Sequence, residues 1–443
     1  MSFRELNLNT PLLNALDDLG IQQPTTIQQR AFSVIMSGQD VCGIAQTGTG
    51  KTFAYLLPLL RLWKFTKEKH PQILIMVPTR ELVVQVVEAV KQLTTYMNVE
   101  VLGVYGGVNM NPQMAAVQNK TDVLVATPGR LYDIILSGAL KVKSIKRLVI
   151  DEVDEMLNLG FRTQITNILD LLPERRQNLL FSATITEEVE QLINTHFNHP
   201  ARIEAAPAGT PLENIDQRIY RVPNFNTKIN LLEQLISTDE SMTKTLIFAS
   251  TKQLADDLYE PLSARFPEKV GIIHSNKEQN HRFNTVNQFQ SGAYRFLIAT
   301  DIIARGLDIA EVTHVINFDT PEAPENYIHR IGRTGRADKK GIAILLTKDS
   351  EIPQLEAIES LMNYNIPEAP LPEGLVISDV LTADEQPKVH MRNTLVKAPK
   401  REDAGPAFHE KLAKNKKVNR KISHKEKMQL KYGKPKKRKP KKR

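Results

Sequence analysis

Residues 45–52 read Ala-Gln-Thr-Gly-Thr-Gly-Lys-Thr, and this stretch decides the fold. It follows the segment Asp40–Ile44, which is expected to form a buried strand, and it precedes Phe53–Leu57, which is expected to continue as a helix. In such a loop the backbone N–H groups point at anionic oxygens, and the helix dipole adds positive potential. Only Ala45 departs from the general phosphate-loop pattern, which often has glycine there. We therefore expect an α/β fold that binds a nucleoside triphosphate.

An acidic run, Asp151-Glu152-Val153-Asp154, supports this expectation. It ends a second apolar stretch, residues 147–150, so its carboxylates are expected at the carboxyl edge of a parallel sheet, where ligands bind in open α/β folds. Lys51 can then reach the outer phosphates, and the Thr52 hydroxyl can bind Mg²⁺. The alternative is a glycine-rich turn and an unrelated, solvated acidic loop.

Composition limits the remaining possibilities. A chain of 443 residues is long enough for about three domains. No apolar run is long enough to cross a membrane, and the first residues show no secretory signal. The single cysteine, Cys42, excludes an internal disulfide framework and a cysteine-based metal site. We expect a reducing compartment and a cytoplasmic location.

The net charge of +8 is unevenly distributed. Residues 411–443 hold 17 Lys and Arg and one acidic residue, Glu426, whereas the first 410 residues hold 41 basic and 49 acidic side chains. A tail of this composition cannot bury a core and is expected to be disordered. A tail of one sign on an acidic body usually attracts a polyanion.

The chain alternates short apolar stretches with helical ones, which favours parallel sheets flanked by helices. Eleven strands are predicted: Val41–Ala45, Ile73–Pro78, Val99–Val104, Val123–Ala126, Leu148–Asp151, Leu179–Ser182, Thr245–Ala249, Gly271–His274, Phe296–Thr300, His314–Phe318 and Gly341–Leu346. The interruption near residues 206–213 is interpreted as a linker. We expect domains at 1–205 and 214–365 and a C-terminal extension at 366–443 that ends in the basic tail. Residues 366–410 carry no pattern that we interpret.

Taken in order, the motifs resemble a known family. Residues 20–28, Gly-Ile-Gln-Gln-Pro-Thr-Thr-Ile-Gln, look like the Q motif of DEAD-box RNA helicases of superfamily 2, and the chain is most similar to the bacterial RhlE-like group. The resemblance covers about residues 3–350 and implies two tandem RecA-like domains. It implies that Gln28 reads adenine, and a Gln amide has both the donor and the acceptor that adenine needs. The implied nucleotide-binding set is Phe3, Ile21, Gln28, Ala45, Gln46, Thr47, Gly48, Thr49, Gly50, Lys51 and Thr52.

Three further motifs resemble the RNA-backbone motifs of the family: residues 78–82, Gly106-Gly107 and residues 127–130. Taken alone, each could be a turn that only caps a helix. Glycines allow close approach of a backbone, and hydroxyl and guanidinium groups suit phosphate and 2′-OH contacts. RNA binding is therefore expected to tolerate any base sequence. The implied contacts are Pro78, Thr79, Arg80, Gly107, Thr127, Gly129 and Arg130.

The second half supplies the matching motifs, Gln279–Arg282, Thr300–Asp308 and His329–Arg336. The resemblance implies that Arg282 and Thr300 touch RNA and that Gly306 and Asp308 approach the ribose and the γ-phosphate. Arg333 and Arg336 would be arginine fingers, which suit the charge that develops in phosphoryl transfer. A solvated basic helix start is the alternative for residues 329–336.

The acidic run departs from the tetrapeptide of the family at Val153. By resemblance, Asp151 binds Mg²⁺, Glu152 polarises the attacking water, and Ser182, Thr184 and His329 couple hydrolysis to unwinding through Asp154. The implied catalytic set is Lys51, Asp151, Glu152, Arg333 and Arg336.

The predicted function is an ATP-dependent RNA helicase, with ATP and Mg²⁺ as cofactors, a cleft between two domains as the site, and the basic tail as an RNA tether. Two alternatives remain open. One is an ATP-gated RNA clamp or annealing scaffold with weak unwinding, and the other is a DNA-directed translocase of the same superfamily. The sequence does not indicate which RNA is bound, the oligomeric state or any protein partner.

Overall fold

The computed structural model describes residues 2–45, 48–204, 214–301, 312–335, 340–382, 385–386 and 422–433. The chain forms two compact units, 1–386 and 387–443. The described part of the first unit contains two parallel β-sheets, each covered by helices. In the described part of the chain, no helix is both long enough and apolar enough to cross a membrane.

The first sheet has seven parallel strands in the order β3-β4-β2-β5-β6-β1-β7. These strands are β1 Val41–Ile44, β2 Ile73–Met76, β3 Val101–Val104, β4 Val123–Ala126, β5 Arg147–Asp151, β6 Gln177–Ser182 and β7 Ala201–Glu204. The helices of this region are α1 Thr10–Asp18, α2 Thr26–Ser37, α3 Lys51–Leu62, α4 Arg80–Leu93, α5 Met110–Val117, α6 Pro128–Leu136, α7 Val153–Asn158, α8 Arg162–Leu171 and α9 Glu187–His196.

The second sheet has six parallel strands in the order β10-β11-β9-β12-β13-β8. These strands are β8 Ile215–Arg221, β9 Thr245–Ala249, β10 Val270–Ile273, β11 Phe296–Thr300, β12 His314–Asn317 and β13 Gly341–Thr347. The helices described here are α10 Phe225–Thr238, α11 Lys252–Arg265, α12 Gln279–Gln290, α13 Pro324–Ile331 and α14 Ile352–Met362.

Successive apolar side chains of each strand point to opposite faces of the sheet, and this explains why each sheet carries helices on both faces. In β1, Val41 belongs to the hydrophobic core on one face of the first sheet, and its neighbour Cys42 belongs to the core on the other. In β9, Leu246 and Ile247 divide in the same way between the cores of the second sheet. Successive side chains of a strand point to opposite faces, so strands buried on both faces read as continuous apolar runs. The expected fold of two parallel α/β sheets is confirmed.

All eleven predicted strands are present, and two strands were not predicted. β7 lies in a segment that directly precedes the expected linker. β8 alternates buried and exposed residues at the edge of the second sheet, so it lacks the apolar run by which the other strands were recognised. The whole of the expected linker, 206–213, lies outside the described residues.

Residues 367–382, here called the strap, run along helix α10 and turn once, at Glu373-Gly374. Four amide side chains at the beginning and along the helix donate to strap carbonyls: Asn224 to Ser378, Asn226 to Val380, Asn230 to Val376 and Gln234 to Glu373. Near its start the strap also bonds to Ile219 of β8. The strap therefore belongs to the second sheet, although its sequence carries no periodic pattern.

Two contacts hold the chain just beyond the strap. Glu385 accepts from the backbone N–H of Phe225 and from Lys348, which follows β13. Both contacts lie at the carboxyl ends of strands of the second sheet, β8 and β13. The chain leaves the first unit at this edge.

The described part of the basic tail, residues 422–433, contains one short helix, α15 His424–Tyr432. Ser423 and Glu426 form a reciprocal capping box, which explains where the helix begins. Isolated helices of this length are marginal in water. The rest of the tail lies outside the described residues.

Candidate functional site

The phosphate loop connects β1 to α3 as expected. Gly48 and Gly50 have φ angles of 81° and 86°, a region that glycine adopts without strain. Lys51 begins the helix and is 6% exposed, and its Nζ has no hydrogen-bond partner among the described residues. A buried, unpaired ammonium is costly. The site therefore fits an anionic ligand. Gln46 and Thr47 lie outside the described residues.

Gln28 connects the Q motif to this loop. Its Oε1 accepts from the Thr25 backbone N–H at 3.0 Å, and its Nε2 donates to the Gly50 carbonyl at 3.1 Å. One N–H and one lone pair remain for a ligand, which is what recognition of an adenine edge requires. Phe3 is buried in the core beside α2, and Ile21 packs against the same core.

Asp151 and Glu152 lie at the carboxyl end of β5. Burial raises the pKa of both carboxyl groups, and the nearby Lys51 charge opposes this increase. Asp151 Oδ2 accepts from the Tyr55 hydroxyl at 3.0 Å, and its Oδ1 accepts from the Glu152 backbone N–H at 3.0 Å. Glu152 has φ 54° and ψ 50°, a left-handed conformation that is strained for a non-glycine residue.

Asp154 connects β6 to the second sheet. Its Oδ2 accepts from the backbone N–H and hydroxyl of Thr184 at 3.0 and 2.9 Å and lies 3.6 Å from His329 Nε2. Burial would raise the pKa of Asp154, but the hydrogen bond and charge of His329, with Lys51 and Thr184, outweigh it and hold the pKa below its ordinary value. Ser182 donates to the Thr184 carbonyl at 2.7 Å, and Val153 is fully buried.

Arg333 approaches the phosphate loop from the second sheet. Together with Lys51, Glu152 and His329 it lines a narrow space that has no room for a water-sized sphere. Burial raises the pKa of Glu152, and the Arg333 charge, like that of Lys51, opposes this increase. The structure therefore brings Lys51 of one sheet and Arg333 of the other to the same site. The other residues expected here, Gly306, Asp308 and Arg336, lie outside the described residues.

The residues expected to contact RNA from the first sheet lie in loops that follow β2, β3 and β4. The Arg80 guanidinium lies directly over Gly107, whose φ is 75°. Thr79 caps α4 by accepting from the Leu82 N–H, and the preceding Pro78 is buried. All three loops are at the carboxyl edge of the sheet, the same edge as the phosphate loop, from which the strands β5 and β6 separate them.

The third of these loops contains Thr127, Gly129 and Arg130. Thr127 is the N-cap of α6 and makes no capping bond with its side chain. A Cβ at Gly129 would meet only Phe161, at 3.9 Å, so packing within the protein does not require glycine there. Arg130 is directed inward: its guanidinium donates to Gln113 Oε1 and to the Val108 carbonyl, so it holds the Gly107 loop in place.

The second sheet contributes Arg282 and Thr300. Arg282 Nη1 lies 3.3 Å from Glu81 Oε1 of helix α4, and both side chains are buried. Thr300, at the end of β11, lines a cavity of about 660 Å³ that is bordered by α7 of the first sheet and by residues of the second. Arg330 is fully buried and donates twice to Asp301, which fixes the residue directly after Thr300.

Comparisons with known proteins agree with this geometry. Residues 25–192 match the DEAD/DEAH box helicase family model, and residues 227–338 match the helicase conserved C-terminal domain. The chain is 40% identical over 358 residues to a Bacillus cereus DEAD-box ATP-dependent RNA helicase, CshA, covering 81% of this chain and 67% of that protein. It is 38% identical over 370 residues to ATP-dependent RNA helicase eIF4A of Pyricularia oryzae, covering 84% of this chain and 93% of that protein. The chain belongs to the DEAD-box RNA helicase family.

A solved structure of the same family shows the same arrangement. The DEAD-box helicase chain resembles S. cerevisiae Dbp5 bound to RNA and ADP BeF3 with a TM-score of 0.76 and 30% identity, covering 84% of this chain and 96% of that one. Since the match extends over both sheets, the two sheets have a similar relative placement in the two proteins.

Sequence reasoning missed two residues of the helicase site. Glu81 lies within the motif of residues 78–82, but no spacing in the sequence indicates its contact with Arg282. Tyr55 lies in the expected helix after the phosphate loop and belongs to no motif. The available signal was its position three residues after Thr52, which places both side chains on one face of α3.

The helicase site contains oxygen donors suited to a hard cation. No group of three His, Cys, Asp or Glu side chains in the described ranges could hold a metal by itself. Mg²⁺ usually takes one or two protein carboxylates together with water and substrate phosphates. Asp151 and the Thr52 hydroxyl fit that pattern, because burial raises the pKa of Asp151 and a bound cation would offset the cost of its charge.

Proposed function

We propose that this chain hydrolyses ATP in an RNA-stimulated manner and uses closure of its two sheets to separate short RNA duplexes locally. The observation that carries the proposal is the approach of Arg333 to the unpaired Lys51 across the cleft. Splitting the site between two bodies makes hydrolysis conditional on their contact. RNA that stabilises the contact therefore stimulates hydrolysis.

Nucleotide binding is assigned to the first sheet. Gln28 reads the adenine edge, with Ile21 and Phe3 beside the base. The loop residues from Ala45 to Thr52 surround the phosphates with backbone N–H groups, and Lys51 pairs with the outer phosphates. Because Gln28 also donates to the Gly50 carbonyl, base recognition and loop position are linked directly.

Hydrolysis is assigned to residues of both sheets. Glu152 holds and polarises the attacking water, and its left-handed backbone fixes the carboxylate at the end of β5. Arg333, together with Arg336, stabilises the charge that develops on the transferred phosphoryl oxygens; such a guanidinium is worth about 10³–10⁵ in rate. Mg²⁺, which Thr52 and Asp151 would hold, supplies positive charge beside the phosphate oxygens. Gly306 and Asp308 complete the nucleotide contacts.

Coupling is assigned to the contacts that cross the cleft. The Asp154 carboxylate accepts a hydrogen bond from Thr184 of the first sheet and contacts His329 of the second sheet. Loss of the γ-phosphate is therefore transmitted to the second sheet through this one carboxylate. Ser182 supports Thr184. Val153 fills the core behind Asp154, and its bulk is compatible with the Asp154–Thr184 bonds.

RNA binding is assigned to the carboxyl edges of both sheets. Pro78, Thr79, Arg80, Gly107, Thr127 and Gly129 on one side, and Arg282 and Thr300 on the other, form the backbone-contacting surface. Arg130 acts on this surface by holding the Gly107 loop. The closed form is expected to fit a bent single strand that a duplex cannot follow, so one strand is displaced and hydrolysis then reopens the cleft.

The basic tail, 411–443, is proposed as a tether for RNA. The logarithm of RNA affinity falls linearly with the logarithm of salt concentration, and each neutralised phosphate contributes about −0.7 to −0.9 to the slope. Truncation after Glu410 is expected to flatten that slope and leave RNA-independent ATP turnover unchanged. Equal slopes for the full chain and the truncated chain would exclude the tether.

The deciding experiment measures ATP-dependent unwinding of a short RNA duplex beside ATP turnover. Wild type should unwind and hydrolyse, whereas Lys51→Ala and Glu152→Gln should do neither. Turnover without strand separation would favour the alternative of an ATP-gated clamp or annealing scaffold. Stronger stimulation by DNA than by RNA would favour a DNA-directed translocase.

Finer assignments are also part of the proposal. The RhlE-like subgroup is suggested by the motif set and the basic tail, and a cytoplasmic location is suggested by the single buried thiol, Cys42. The domain limits 1–205, 214–365 and 366–443 are proposed as units of function. The strap argues for extending the second domain to about residue 386, because it is bonded along α10. Limited proteolysis tests this limit, and cell fractionation tests the location.

A further inference from the structure

Tyr55 is a fully buried tyrosine whose hydroxyl contacts Asp151, one of the two side chains assigned to Mg²⁺. The hydroxyl donates to Asp151 Oδ2 at 3.0 Å. Thr52, the other assigned side chain, lies one helical turn earlier on α3, on the same face as Tyr55. A tyrosine hydroxyl has one proton to donate, and here it is directed at the carboxylate.

Packing fixes the position of this hydroxyl. The Tyr55 ring is completely buried and packs against Phe181 of β6 with ring centroids 5.3 Å apart. Phe181 pairs with Asp151 in the ladder between β5 and β6, so ring and carboxylate are held by neighbouring strands. The hydroxyl therefore cannot turn to solvent.

We propose that Tyr55 is a positioning residue for the divalent cation: its hydroxyl orients the Asp151 carboxylate for the Mg²⁺ that accompanies the nucleotide. The inference rests on the proposed function. Asp151 Oδ1 is already fixed by the Glu152 N–H, so the bond from Tyr55 to Oδ2 completes the orientation of the carboxylate. Groups that orient metal ligands typically contribute about 10–100-fold to metal affinity.

The test is Tyr55→Phe, which removes only the hydroxyl. Binding of a fluorescent ADP analogue is measured during titration with Mg²⁺ and also in EDTA, so that no turnover is required. The Mg²⁺ concentration for half-maximal effect should rise about 10-fold, whereas affinity in EDTA should be unchanged. The matched control is Tyr327→Phe, which removes another fully buried hydroxyl, bonded to Gln217 in the second sheet. This control should not alter the Mg²⁺ dependence.

The outcomes separate the inference from the proposed function. If wild type binds the nucleotide with Mg²⁺ dependence and Tyr55→Phe behaves identically, or is weakened equally in EDTA, the positioning role is wrong and the proposed function stands. If wild type does not bind nucleotide, both are wrong. Thermal unfolding checks the fold, and Tyr55→Met serves as a second variant without the hydroxyl. If neither variant folds, the hydroxyl has a structural role and the inference is overturned.

Discussion

Arg282 Nη1 and Glu81 Oε1 lie 3.3 Å apart, and their side chains come from helices that cover different sheets. Burial lowers the pKa of Arg282, and the Glu81 charge opposes this effect. Breaking a buried pair leaves an uncompensated charge, which is strongly destabilising. The pair therefore favours the closed arrangement, in which Asp154 and His329 also meet.

Neutralising either partner should impair closure. We expect Glu81→Gln and Arg282→Gln each to raise the RNA concentration for half-maximal ATPase stimulation, with RNA-independent nucleotide affinity unchanged. A double-mutant cycle should give a coupling of about 0.5–3 kcal/mol. Arg162→Gln, which removes an exposed pair with Glu188 in the first sheet, is the control. Additive effects of the two substitutions would contradict a direct role of the pair.

The stability of the nucleotide-free protein should depend on the charge of Glu152. Burial raises its pKa, so the native state binds a proton more tightly than the unfolded chain. The ionised group therefore reduces stability at high pH, and this cost disappears as pH falls towards the unfolded value of about 4.3. Calorimetry should show that Glu152→Gln raises Tm by a few degrees at pH 8 and by less at pH 5. Glu260→Gln, an exposed position on α11, should show no such trend.

Gly107 should be specifically required for the position of Arg80. A Cβ at Gly107 would lie 1.9 Å from Arg80 Nη2, so Gly107→Ala must displace the guanidinium. We expect RNA affinity to fall about 10-fold, the loss of roughly one charged contact, with nucleotide affinity unchanged. Gly138→Ala is the control, because Gly138 has almost the same φ, 76°, and no atom near its Cβ position. If RNA affinity falls equally in the two variants, backbone strain alone explains the loss, and the position of Arg80 does not.

Removing the amides that hold the strap should destabilise the second sheet. Asn230 and Gln234 each donate one bond to a strap carbonyl, at 2.8 and 2.9 Å. The double variant Asn230→Ala/Gln234→Ala should lose about 1–3 kcal/mol of unfolding free energy. Urea unfolding measures the loss, and Asn287→Ala, on the exposed face of α12, provides the comparison. An unchanged midpoint would mean that the strap is held by its other contacts.

Sequence alone predicted the architecture well, because strands buried on both faces leave apolar runs that are easy to recognise. It located the phosphate loop, the acidic run and Arg333 on edges that the structure brings together. The two missed strands show the limit of the approach. Within the sheet β8 pairs with one strand, β13, and it alternates buried and exposed residues, so its burial follows from its tertiary position and not from its composition.

The contacts that cross the cleft could not be predicted, since no local pattern relates Glu81 to Arg282. The strap could not be predicted for a different reason. Amide side chains of α10 bind the backbone carbonyl groups of the strap, and because every sequence has such carbonyls, the strap residues carry no signal of the contact. Arg130 illustrates a third limit. Its motif suggests a contact with RNA, but in the structure the guanidinium donates hydrogen bonds to Gln113 and to the Val108 carbonyl of its own domain.

The contacts of Glu385 with Phe225 and Lys348 fix the chain at residue 385 on the lobe that contains Arg333, and the basic tail follows from there in the sequence. When the cleft opens after each turnover, that attachment travels with the moving lobe. If the tail binds RNA as proposed, the bound RNA moves with that lobe and is presented again at the next closure. Repeated unwinding of one RNA molecule would then depend on the length of the chain between residue 385 and the basic tail. Directional stepping along the RNA would not be required.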